Sequence, residues 1–278
     1  MAPTWTIPKG AQWLAVNDYP LTYQDAGSGP PLVLVHGTIV DYRIWQPQIA
    51  ELSRTCRVIA PSLRHYFPER WDRVGDDFSI EQHARDVIGL VKALKLGKIH
   101  LLGWSRGGLV AVEVARRSRE MIKTLIFEDA TIDLVGNDSE QSRIANDAAA
   151  VRLQNLKTRL LRGDDRRGTE EFIDAINGAG AWARLAPAHQ QVMIDNIHTA
   201  LAADVRNPVP REFFSRLSAP TLLITGENSP RRYAALYDEL HKLRNFGPTV
   251  VVPNAAHLMH LENAQAFNAA VSAFVAAK

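Results

Sequence analysis

The sequence predicts an α/β protein built on a doubly wound, mostly parallel sheet with a helical insertion. Three observations carry this expectation. Short apolar runs, rich in β-branched residues and apolar on both faces, recur at 32–35, 57–60, 99–102, 124–127, 221–225 and 249–252. Strands that helices cover on both sides have this pattern. Helical patterns separate most of these runs, and strand–helix alternation implies parallel pairing through crossovers. The alternation breaks between about 130 and 218, where the pattern is helical without strands.

Taken in order, the run 32–35 ends at His36-Gly37 and gives way to an amphipathic stretch around Trp45 to Leu52. The run 57–60 stops at Pro61, and a helix over 80–94 keeps its apolar residues mostly three or four apart. The run 99–102 leads into Gly103, with a second helix starting near Ser105. Inside 130–218, the segment 139–161 is amphipathic and Arg-rich, and 169–176 and 187–202 are also helical. Gly163 and the Gly178-Ala179-Gly180 turn punctuate them. An insertion after one strand of a parallel sheet covers the strands' carboxyl ends, where ligands bind. It therefore reads as a lid, the plainer reading being a helical layer that completes the core. The Arg-rich face of its first helix reads as solvated surface rather than as a binding patch. The expected organisation is a core over 1–129 and 219–278, interrupted by a helical lid over 130–218.

Composition narrows the function. The chain has 278 residues, 46% hydrophobic and 22% charged, with a formal net charge of +2. At this size about three quarters of the unfolded surface can be buried, so neither metal nor disulfide is needed for stability. The basic residues are scattered, so a nucleic-acid footprint is not expected. Cys56 is the one cysteine and cannot form an internal disulfide. No apolar run approaches the ~18 residues of a membrane span, and the first nine residues do not read as a signal peptide. The expectation is a cytoplasmic protein acting on a small molecule without a cofactor, with a homodimer left open.

Gly103-Trp104-Ser105-Arg106-Gly107 fits G-x-S-x-G after a predicted strand and at the start of a helix. The flanking glycines permit a tight turn that lifts the Ser105 hydroxyl above the sheet edge. The turn also aims the helix's first amides at charge developing on a substrate oxygen. Gly108 allows the helix to pack closely on the strand.

With these motifs in this order, the chain resembles lid-bearing esterases and lactonases of the α/β-hydrolase fold, from about 32 to 274. The resemblance implies an oxyanion hole made by the backbone N–H groups of Thr38 and Arg106. It also implies a general-base histidine in the loop after the last strand, with a Glu five residues on. His257 with Glu262 fits that spacing, and His260 is the fallback. In most of the family an Asp follows the penultimate strand, three residues after a Gly. Here Gly226-Glu227-Asn228-Ser229 places Ser229 there, and a serine cannot supply the charge that stabilises imidazolium. Some members, including zearalenone-type lactonases and haloalkane dehalogenases, take the acid from the end of the strand after the nucleophile. That position matches Glu128, which directly ends the apolar run. Asp129 alternates to the other side of the strand and reads as pinning the start of the lid, though it stays open as the acid. Glu227 is a third option.

The leading expectation is ester or lactone hydrolysis through an acyl-enzyme, by Ser105, His257 and Glu128. Trp182, beside the Gly178-Ala179-Gly180 turn, and Trp104 are the candidate substrate contacts. Tyr42, Trp45, Tyr66 and Phe67 are aromatic residues that fill either core or pocket. Carbon–carbon bond hydrolysis, cofactor-free dioxygenation and slow-turnover ligand binding remain alternatives on the same fold.

Overall fold

The computed structural model describes residues 2–71, 77–136, 140–203 and 208–278. In chain order it opens with β1 (Gln12–Val16), β2 (Tyr19–Ala26), β3 (Pro31–Val35), α1 (Gln46–Leu52) and β4 (Arg57–Pro61). Then come α2 (Ile80–Ala93), β5 (Ile99–Trp104), α3 (Arg106–Arg117), β6 (Ile122–Glu128) and the short β7 (Asp133–Leu134). Four helices follow: α4 (Glu140–Leu161), α5 (Asp165–Asn177), α6 (Ala181–Arg184) and α7 (Pro187–Asn196). The chain ends with β8 (Pro208–Val209), α8 (Arg211–Ser215), β9 (Thr221–Gly226), α9 (Arg231–Leu243), β10 (Val250–Val252), α10 (Met259–Glu262) and α11 (Ala264–Ala276). The expected start of the α4 helix at Ser139 lies outside the described residues.

Among the described residues the main sheet has eight strands in the order β1-β2-β4-β3-β5-β6-β9-β10. From β4 to β10 every pairing is parallel, while β1 and β2 pair antiparallel with each other and β2 with β4. The predicted fold class is thus observed. The β1–β2 hairpin is an addition to it, turning through Asn17 and Asp18, both at positive φ (48° and 60°). Each run of the central strands is apolar on both faces because both faces are covered. One buried cluster joins α2, α3 and α9 to Val33, Leu101, Leu125 and Phe127; the other joins α1 and α11 to Leu34, Leu102, Ile126 and Ile224.

The chain winds outward from β3 in one direction to β4 and in the other to β5, β6, β9 and β10. The change of direction lies between β3 and β5, and a crevice opens there above the carboxyl ends of the strands. Helices α4 to α7 lie in sequence between β6 and β9 and contribute Leu153, Leu156, Ile173 and Met193 to the second cluster. Only part of α4 has a buried apolar face: Leu153, Leu156 and Leu160 are covered, whereas Ile144 and Val151 face solvent. Among the described residues no helix is long and apolar enough to cross a membrane.

Candidate active site

Ser105 stands between β5 and α3 with φ 53° and ψ −121°, a backbone conformation that costs a non-glycine residue free energy and persists only where its surroundings enforce it. The enforcement is visible. The Ser105 N–H donates to the Glu128 carbonyl at 3.0 Å, and the Ser105 carbonyl accepts from Gly108 and Thr131. A Cβ on Gly103 would run into the Gly107 carbonyl, and one on Gly107 into the Val35 carbonyl. The turn therefore requires both glycines. Gly108 abuts Ala130, where a side chain would collide with the Ala130 methyl.

The loop after β3 is braced by His36. Its Nδ1–H donates to the Gly37 carbonyl at 2.8 Å and its Nε2 accepts from Leu63 N–H at 3.0 Å. Burial lowers this imidazole to about 3, so it stays neutral. Thr38, just beyond, lines the same cleft as Ser105 and Arg106. The Arg106 side chain points away from Ser105: its Nη1 donates to His83 Nδ1 at 2.9 Å and its guanidinium lies over Phe78.

The structure corrects the expected partner of His257. His257 Nδ1 lies 3.0 Å from Asp129 Oδ2, not against Glu128. Glu128 is instead paired with His260, whose Nδ1 lies 2.7 Å from Glu128 Oε1, both side chains fully buried. The reason is the pleat. Glu128 is the last residue of β6 and points to the same face as Ile126, toward Trp104, Trp45 and α11. Asp129 lies one residue past the strand, with φ 39°. The bend leaves its carboxyl over the sheet edge, where Thr225 Oγ1 and Ser229 Oγ each donate at 2.6 Å. The extra methylene of Glu128 therefore reaches a different histidine. Glu227 is exposed and accepts from the Asn254 N–H.

The two acid–imidazole pairs differ electrostatically. Burial, with the neighbouring Asp129 charge, pushes Glu128 well above the usual carboxylate range. Burial also holds His260 down at about 3. Both shifts favour the uncharged forms of the pair. Trp104 stands between the histidines, 5.4 Å from the His257 ring and 4.5 Å from the His260 ring, and its Nε1–H donates to the His257 carbonyl at 3.0 Å.

Ser105 and His257 open onto one cleft, together with Thr38, Arg106 and Trp104. Ser105 Oγ is 3.4 Å from Thr131 Oγ1. His257 stacks on Tyr233, the planes 6° apart, with Nε2 3.5 Å from the Tyr233 hydroxyl. Asn177 at the end of α5 accepts from the Leu258 N–H at 3.0 Å and so ties the helices between β6 and β9 to the histidine loop. Trp182 does not reach the cleft. It is 3% exposed, part of the second apolar cluster, and its N–H donates to Asp174. Tyr42, Trp45 and Tyr66 are core residues, and Phe67 lies under Arg43.

Thr131, Arg152, Arg232 and Tyr233 are among the cleft residues that were not anticipated. Arg152 overturns part of the expected solvated Arg face of α4. It turns into the cleft, while Arg159, two turns on, pairs with Glu171 and Asp164 outside.

The sequence profile of the alpha/beta hydrolase family matches residues 32–270. The chain is 22% identical over 265 residues to (E)-2-((N-methylformamido)methylene)succinate hydrolase of Acinetobacter baylyi, covering 93% of this chain and 95% of that one. It is 28% identical to pimeloyl-[acyl-carrier protein] methyl ester esterase of Aeromonas salmonicida, covering 90% and 96%. Among solved structures it superposes on a thermophilic esterase from Thermogutta terrifontis with a TM-score of 0.75 at 24% identity, covering 96% and 98%.

Proposed function

The chain belongs to the alpha/beta hydrolase family, and from that premise we propose that it is a serine hydrolase that cleaves a carboxylic ester or lactone of a small, mostly apolar substrate. The observation that carries the reading is the geometry of His257. One ring nitrogen is held by Asp129 at 3.0 Å, and the ring opens with the strained Ser105 onto one cleft. Asp129 fixes the tautomer with Nδ1 protonated, which leaves Nε2 basic. Ser105 Oγ exchanges its contact with Thr131 for one with Nε2, gives up its proton and attacks the carbonyl carbon. The N–H groups of Thr38 and Arg106 receive the oxyanion. His257 returns the proton to the leaving alkoxide, then activates a water that releases the acyl group from Ser105. Helices α4 to α7 serve as the lid that supplies the cleft's apolar wall. In this reading Asp129 takes the role first assigned to Glu128, and Trp104 is retained as a wall of the site.

The test is proton release, followed by pH-stat, from a panel of aryl esters, short alkyl esters, lactones and a vinylogous diketone, with Ser105→Ala as control. Ester or lactone turnover that disappears in Ser105→Ala supports the reading. Turnover of the diketone alone would replace it with carbon–carbon cleavage, and silence across the panel in a folded protein would overturn it.

A further inference from the structure

Two arginines face the cleft without a carboxylate to balance them. Arg152 comes from α4 and Arg232 from the first turn of α9; both are partly buried and both line the cleft with Ser105 and His257. Three other arginines withdrawn from solvent are matched with acids, Arg64 with Asp86 and Asp77, Arg43 with Asp41 and Asp195, Arg57 with Asp25, while Arg106 packs on Phe78 and donates to His83. Among the described residues no ion pair matches Arg152 or Arg232. Arg232 Nη2 donates to the Tyr233 hydroxyl at 2.6 Å and to Thr131 Oγ1 at 3.3 Å, and its buried Nε has no acceptor. Burial and the nearby positive charge of Arg232 both weaken Arg152's hold on its proton, so the two guanidinium groups feel each other. Like charges brought together at a cleft wall are stabilised by an anion placed between them.

We propose that the substrate carries a carboxylate, held between Arg152 and Arg232 close to the bond that Ser105 attacks. This rests on the serine-hydrolase reading of the same cleft. Arginine's planar fork matches a carboxylate with paired hydrogen bonds. Distance sets the substrate's length. Thr131 Oγ1 touches both Arg232 Nη2 and Ser105 Oγ, so this guanidinium nitrogen lies within two hydrogen-bond lengths of the nucleophile and an anion it holds at most one more away. That spacing fits the acyl half of a short dicarboxylic half-ester, with the apolar wall around Leu153 and Phe172 left for the remaining carbon skeleton. The anion also joins α4 to α9, because each contributes one arginine.

Two measurements test this. The first compares kcat/KM for monomethyl succinate and for methyl butyrate, its neutral counterpart. The preference for the anionic ester is expected to fall by about tenfold or more in Arg152→Gln and in Arg232→Gln, mainly through KM. Arg232→Lys keeps the charge and is expected to retain part of the preference. A preference that neither glutamine variant moves, or a wild-type preference for methyl butyrate, would overturn the proposal. The second reads binding without turnover: calorimetric titration of Ser105→Ala with succinate, repeated with each arginine substitution added. Each is expected to weaken binding by about tenfold or more. Absence of succinate binding, or binding indifferent to both arginines, would sink the anion site whatever the ester panel shows. Arginine-dependent binding with no ester turned over would uphold the anion site and remove the hydrolase reading instead.

Discussion

Ser229 donates its hydroxyl to Asp129 Oδ2 at 2.6 Å. The residue standing where most of the family has its acid thus holds, from the neighbouring strand end, the carboxyl that reaches His257. In the proposed triad the acid sits one strand inward of that position, which supplies a hydrogen-bond donor to it. Thr225, on β9, grips the other oxygen.

This relationship ranks the acids. Asp129→Asn is expected to lose about 10⁴-fold in kcat, as when a triad aspartate loses its charge. Ser229→Ala, which removes one of three donors, is expected to lose about tenfold. Glu128→Gln is expected to stay within about tenfold, because its partner is His260. Steady-state kinetics on the best substrate of the panel decide it. Equal losses from Asp129→Asn and Glu128→Gln would sink the ranking.

The acid should also be movable. Ser229→Asp alone puts a second carboxyl beside Asp129, whose Oδ2 now accepts from the Ser229 hydroxyl at 2.6 Å, and two such adjacent groups cannot both ionise at neutral pH. Activity is expected to drop. In an Asp129→Asn background the same Ser229→Asp change restores a charge near His257, and kcat is expected to rise by about tenfold or more over Asp129→Asn alone. No recovery would mean that position 229 no longer reaches the imidazole.

Glu128 offers a stability test. Burial favours the neutral form of both its carboxyl and the His260 imidazole, and for a neutral pair Glu128→Gln keeps charge, size and a donor toward His260 Nδ1. The expected cost is about 1 kcal/mol or less, whereas Glu128→Ala leaves a cavity and an orphaned imidazole at about 3 kcal/mol. Urea denaturation measures both. A cost of about 3–5 kcal/mol for Glu128→Gln would indicate a buried ion pair instead.

The buried histidines fix the sign of the pH dependence. His36 and His260 are held at about 3 and His83 well below 6.5, each mainly by burial. Between pH 6.5 and about 3 the unfolded chain takes up protons that these native imidazoles refuse, so stability falls as pH falls, by about 1.4 kcal/mol per pH unit for each group. Glu128 works the other way. It keeps its proton when folded, and its contribution declines as pH rises above 4.5. His100, lowered to about 4 by burial, acts with these three, and Asp41, raised by burial, acts with Glu128; the four histidines outweigh the two carboxyls and leave a net loss of stability between pH 7 and 5. Urea midpoints at the two pH values check this, and equal midpoints would refute it.

The parallel strands and the order of Ser105 and His257 were legible because both are local signals: apolar runs of fixed length, and short motifs at strand ends. The β1–β2 hairpin was not recognised, although Asn17-Asp18 carries the left-handed geometry a tight hairpin uses. The choice between Glu128 and Asp129 turned on one positive φ after β6, which adjacent acidic residues do not announce. Arg152, Arg232, Thr131 and Tyr233 come from separate elements and meet only when the sheet closes. Trp182 looked like a ligand contact for its place beside two glycines, yet the helices around it needed an apolar filling of their own.

With the charge-bearing member of the proposed triad seated at the end of a central strand, the loop from β9 to α9 has only a hydroxyl to deliver. The first turn of α9 is thereby released for recognition, and it presents Arg232 and Tyr233 to the cleft. Drift at Arg232 can then retune which molecules are accepted, whereas Ser229 and Tyr233, in contact with Asp129 and His257, stay tied to the proton-handling apparatus.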